Sequence, residues 1–182
     1  MALTPEDGTG LANADSLCSL AFADQHHADR GITLWAGMTV NEREQALRRA
    51  TDFMGEVYRR KWAGYRVKET QALDWPREWV PREPIERPPN VAPLSIFNAT
   101  YYPSDAVPVE VQRACAELAY RAGFGPLAPD VERETLREKL DVLEVEYNPN
   151  APAFVSYRAV ENLLSPFFKR TVSTVAARVV RT

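Results

Sequence analysis

Apolar positions recur at intervals of three and four along two stretches, and these predict the two principal helices. Thr39 followed by Glu42 forms a capping box, in which each side chain satisfies a backbone N–H left free at the helix start. From there to about Arg60, Ala46, Leu47, Ala50, Phe53, Met54 and Val57 form one face, with Glu42, Arg43, Glu44, Arg48, Arg49 and Glu56 largely opposite. The second stripe runs through Val111, Ala114, Cys115, Leu118, Ala119 and Ala122. Ser104-Asp105 and Pro108 supply its start, and Gly123 with Gly125-Pro126 its stop. Its alanines are small enough to admit a second helix closely, so these two helices are the expected core pair.

Weaker signals fill in the rest. Ser19 caps a short helix running to about Arg30, with Gly31 as its stop and Leu20, Ala23, His27 and Ala28 facing inward. Val142 to Tyr147 alternates with period two, which predicts a strand paired with residues near 133–140. Tyr157 to about Phe168 reads as a last helix, limited or bent by Pro166, with Val160, Leu163, Leu164, Phe167 and Phe168 inward. Between the principal helices, residues 76–108 hold eight of the 14 prolines, a density that forbids an interior helix or a central strand. The predicted fold class is mainly α: a small helical bundle with a short β-hairpin, a long extended loop and terminal arms. Residues 1–14 form the N-terminal arm, expected to be mobile or ordered by a partner, 15–168 the helical domain and 169–182 a C-terminal tail.

Composition places the chain among globular proteins: 182 residues, 45% hydrophobic and 26% charged. The net charge of −3 lacks the basic surplus usual where nucleic-acid backbone is held. Charge is nevertheless uneven. The tail KRTVSTVAARVVRT carries four cations and no acid, leaving −7 on the remainder. With no basic n-region and no long apolar run, the expectation is a protein made in a cytoplasm that contacts no membrane.

Catalytic and metal chemistry is hard to find. Cys18 and Cys115 lack metal-ligand spacing and read as buried, reduced thiols. Adjacent side chains on a helix point about 100° apart, so His26-His27 reads as a surface or interface pair rather than a two-ligand face. No nucleophile motif, Walker loop or dinucleotide glycine pattern is present. The expectation is neither enzyme, cofactor nor metal.

Aromatic residues beside arginines raise a nucleic-acid reading, because bases stack on aromatic faces within a basic groove. The richest segment is 75–102, with Trp75, Trp79, Phe97, Tyr101 and Tyr102 beside Arg77, Arg82 and Arg87. Glu78, Glu83 and Glu86 cancel those arginines, so the simpler reading is aromatic anchors of a packed loop.

Several stretches in order resemble a known family. They are Ala14-Asp15-Ser16, His27 to Gly31, Trp35-Ala36, Arg43 to Asp52, Gln71 to Arg77 (QALDWPR), Val107 to Ala119 (VPVEVQRACAELA) and Leu143 to Tyr147. Together they resemble small tailed-bacteriophage proteins labelled DnaT-like and single-stranded-DNA-binding, which are themselves similar to head–tail connector (adaptor, head-completion) proteins. The connector likeness implies a helical bundle assembled with itself as a ring, dodecameric in that family, in the virion neck. Its partners would be the portal protein and a tail-completion or tail terminator protein, with genomic DNA passing through without specific binding. The acidic balance favours a conduit over a grip, so the connector is the leading expectation and a single-strand-binding accessory factor of phage replication the alternative. On the connector reading, Lys169, Arg170, Val172, Val175, Arg178, Val179, Val180 and Arg181 would dock on the portal or a neighbour. Trp79, Ile85, Val91, Leu94, Ile96, Phe97, Tyr101 and Tyr102 would make inter-subunit contacts.

Overall fold

The computed structural model describes residues 2–82, 101–129, 135–139, 144–147 and 155–169, the segments 135–139 and 144–147 by their backbone alone. Among these residues the chain is mainly α, with five α-helices and a short hairpin. They are α1 (Leu20–Ala28), α2 (Thr33–Ala36), α3 (Val40–Tyr58), α4 (Val109–Phe124) and α5 (Arg158–Leu164), the last continued by a 3-10 turn over Ser165–Phe167. Two antiparallel strand pairs complete it: β1 (Tyr65–Arg66) with β2 (Arg77–Glu78), and β3 (Thr135–Lys139) with β4 (Glu144–Tyr147). The second pair is the hairpin read from period-two alternation, with Thr135 opposite Tyr147 and Lys139 opposite Glu144.

Helix α3 starts where the capping box places it. The Thr39 N–H donates to Glu42 Oε2 (2.8 Å), and the Glu42 N–H donates to Thr39 Oγ1 (3.3 Å). Replacing Thr39 by alanine is expected to lower the melting temperature by roughly 2–4 °C, read by calorimetry. The expected core pair is present: α3 packs most extensively on α4, and Ala46, Leu47 and Ala50 are buried with Val111, Ala114, Leu118 and Ala119. Alanines on both faces let the two backbones approach closely. Helix α4 runs through Gly123 to Phe124, past the stop expected near Ala122.

Three readings change. His27 is buried as expected of the inward face, and His26 is buried beside it rather than at the surface because α1 lies against α4, whereas Ala28, also expected inward, is exposed. Helix α1 ends at Ala28, and the short α2 that follows inserts Trp35 into the core, an element too brief to show periodicity. Residues 2–14 are held by this subunit itself. The Glu6 carboxylate accepts from the backbone N–H groups of Gly8, Gly10 and Leu11, and the Ala72 N–H donates to the Leu11 carbonyl. Gly8, at φ +101°, lies so near Asp105 that a Cβ would collide with its carbonyl oxygen. A glutamate gathering its own loop's orphan donors is a local effect that composition alone does not reveal.

Cys18 and Cys115 are free and buried, as read. Among the described residues, no helix is long and apolar enough to cross a membrane.

Candidate nucleic-acid interface

The QALDWPR segment builds a scaffold. The Gln71 side-chain amide donates to the carbonyls of Leu73 (2.8 Å) and Pro76 (3.1 Å), and its oxygen accepts from the Lys68 N–H. Asp74 is buried and ion-paired to the exposed Arg59 at 3.1 Å. Trp75 is fully buried, edge-to-face with Trp62 (5.7 Å) and Phe167 (5.5 Å). Arg77 is buried too, its guanidinium donating to three carbonyls: Ala63 (2.7 Å), Gly64 (2.7 Å) and Asp74 (3.1 Å). Burial pulls its pKa below the ordinary guanidinium value, and the Asp74 charge pushes back. The segment thus turns its polar groups inward and leaves none of these four residues on the surface.

What it supports is an exposed platform. Tyr65 lies opposite Glu78 across the β1–β2 pair, and Arg66 opposite Arg77. Gly64, at φ +66°, makes the approach: a Cβ there would collide with the Glu78 carbonyl oxygen and come within 2.9 Å of Val80 Cγ2. Tyr65 is 70% exposed and Trp79 58% exposed. Trp79 is the one non-glycine residue with positive φ among those described, at 60°. The left-handed region is unfavourable for an aromatic side chain, so the surroundings must hold Trp79 there. Tyr101 meets its ring edge-to-face at 5.3 Å. The segments on either side of residues 83–100 are paired, with a bridge between Pro81 and Tyr101 and the Tyr102 N–H donating to the Val80 carbonyl at 2.9 Å. Arg82 lies over the Tyr102 ring at 5.3 Å, and that ring packs on Phe167 at 4.8 Å. Among the described residues, the exposed cations neighbouring these aromatics in the chain are Arg66, Lys68 and Arg82, against the exposed acids Glu69 and Glu78.

A family model described as "Putative DnaT-like ssDNA binding protein" matches residues 1–182. The chain belongs to that family. No curated protein and no solved structure matches the chain.

Membership in the DnaT-like family corrects the leading expectation. The match is to a family described by single-stranded DNA, and none of the comparisons supports a connector family. With it go the partners of that reading: a portal, a tail-completion or terminator protein, and DNA that passes without being held. The physical reason is that net charge averages a whole chain, whereas a single strand needs aromatic faces and a few cations in one place. The acids that balance the chain are distributed along its length, so −3 is the wrong quantity to weigh.

Of the residues assigned to the loop, the structure brings Trp79, Tyr101 and Tyr102 together, while Ile85, Val91, Leu94, Ile96 and Phe97 lie outside the described residues. Of the tail, Lys169 is exposed with its N–H donating to the Lys61 carbonyl at 2.7 Å. Arg170, Val172, Val175, Arg178, Val179, Val180 and Arg181 lie outside the described residues. Tyr65 and Arg66 were not singled out by sequence, although Gly64 marks the turn that presents them.

Proposed function

We propose that the protein binds single-stranded DNA as an accessory factor, with bases stacking on Trp79 and Tyr65 and phosphates meeting Arg66, Lys68 and Arg82. The observation that carries this reading is Trp79, an indole kept largely in solvent on a backbone conformation that resists it. Its edge-to-face contact with Tyr101 leaves most of the indole in solvent, and base stacking is a use that a strained, exposed aromatic face fits. Membership of the DnaT-like family supports the same reading.

Intrinsic fluorescence offers a direct test. Trp35, Trp62 and Trp75 are buried, so quenching by an oligonucleotide in solution reports on Trp79. Titration with an oligothymidylate is expected to quench the solvent-exposed part of the emission and to raise the anisotropy of a labelled strand. If three cations each neutralise one phosphate, log K falls against log salt with a slope of about −2. Unchanged fluorescence and anisotropy throughout the micromolar range at low salt would refute the reading.

A further inference from the structure

Helix α1 contributes two adjacent histidines to the α1–α4 contact, and α4 presents Glu117 to them. His26 Nε2 lies 3.0 Å from Glu117 Oε1. One ring nitrogen of each histidine and one carboxylate oxygen of Glu117 all lie within 4.8 Å of one another. Adjacency along the helix does not prevent this. The two rings meet edge-to-face at 5.2 Å, and the third donor comes from the facing helix.

The state of His27 is a second, independent observation. Its Nε2 lies 3.1 Å from the Ala116 carbonyl, which can only accept, so Nε2 carries the hydrogen and Nδ1 is a bare lone pair. That Nδ1 is buried and has no hydrogen-bond partner among the described residues. Buried polar atoms are nearly always satisfied, and an orphaned one needs a reason. A histidine whose other nitrogen donates to a backbone carbonyl is also the arrangement that orients imidazole toward a metal.

We propose that His26, His27 and Glu117 bind a divalent transition metal of the zinc class, clamping α1 to α4. The donor set, two imidazoles and one carboxylate, suits zinc or cobalt and not magnesium, which takes oxygen ligands. Ligand atoms around a tetrahedral zinc stand roughly 3.3 Å apart, given bonds of about 2.0 Å. The cluster therefore has to contract for the ion to seat. Binding at His26 Nε2 replaces the hydrogen bond to Glu117, and the ring hydrogen then sits on Nδ1, the other neutral tautomer. Two cations work against it: Arg121 Nη1 lies 3.2 Å from Glu117 Oε2, and Arg30 Nη1 donates to the His26 carbonyl at 2.9 Å. The site is consequently weaker than a structural zinc site built from thiolates.

The test uses the full chain without an affinity tag, stripped by a chelator. Titration with Zn²⁺ is expected to show one ion bound per chain. At a hundredfold excess over Kd, the melting temperature should rise by roughly 5–10 °C. Co²⁺ should develop visible absorption bands, whereas Mg²⁺ changes nothing. The variants His26→Gln and Glu117→Gln should each lose the thermal shift at the same zinc concentration. Absence of both the thermal shift and the cobalt bands in the unmodified chain overturns the proposal, irrespective of how either variant folds. Equal shifts in the unmodified chain and both variants would overturn it as well, placing the ion elsewhere.

Discussion

Replacing Trp79 by glycine is expected to weaken single-strand binding by about 5- to 150-fold while leaving the fold as stable as before. The first half follows from base–aromatic stacking, worth roughly 1–3 kcal/mol per base by truncation. The second follows from two opposing terms of similar size. Removing the indole forfeits its edge-to-face contact with Tyr101, about 0.5–1.5 kcal/mol. Glycine at φ 60° removes a backbone penalty of order 1 kcal/mol, since glycine enters the left-handed region freely. Most single substitutions that damage function also cost stability, and here the two should separate. Trp79→Phe is the control, because it keeps an aromatic face and should keep most of the affinity. Anisotropy measures the first quantity and thermal melting the second. If Trp79→Gly binds the oligonucleotide normally, Trp79 is not the stacking surface. A fall in melting temperature of 10 °C would instead make Trp79 a structural residue.

The helical part of this fold was legible because its signals are repeated and local. The α3 stripe has six apolar positions and a reciprocal cap, and the α4 stripe has as many with proline and glycine punctuation. Each error at one position is outvoted by the others. Helix α2 has four residues and therefore no period to read, and its content is the single tertiary fact that Trp35 fills a hole. The candidate site was half legible. Trp79, Tyr101 and Arg82 stood out as aromatic and cationic neighbours, but sequence could not tell them from Trp75 and Arg77. Only burial separates the two sets, and burial depends on Trp62, Phe167 and the carbonyls of Ala63 and Gly64, which arrive from elsewhere in the chain. The histidine pair failed for a related reason. Angular spacing along one helix says nothing about what a facing helix contributes, and Glu117 is 91 residues from His26.

Arg77 shows what that hidden half does, and its loss carries the largest expected effect on stability. Three carbonyl oxygens, of Ala63, Gly64 and Asp74, converge on one buried guanidinium. Truncation to alanine leaves three acceptors without a donor, each costing about 1–3 kcal/mol if water does not reach it. The terms are not independent, so the expected loss is at least about 3 kcal/mol, or roughly 10 °C in melting temperature. Lysine cannot repair it, because one ammonium on a flexible stem lacks the planar fork that spans three carbonyls. Arg77→Lys should therefore recover less than half of the deficit. Arg59→Ala is the informative contrast: it removes the partner of the buried Asp74, but Arg59 itself is exposed and water can take its place, so it should cost less than Arg77→Ala. Because Arg77 ties the turn at Gly64 to β2, which Trp79 directly follows, its replacement by lysine should also loosen the platform and lower oligonucleotide affinity from within. Melting of Arg77→Ala within about 2 °C of the unmodified chain would mean that water, not the guanidinium, satisfies those carbonyls. The QALDWPR segment would then lose its claim to be the scaffold of the interface.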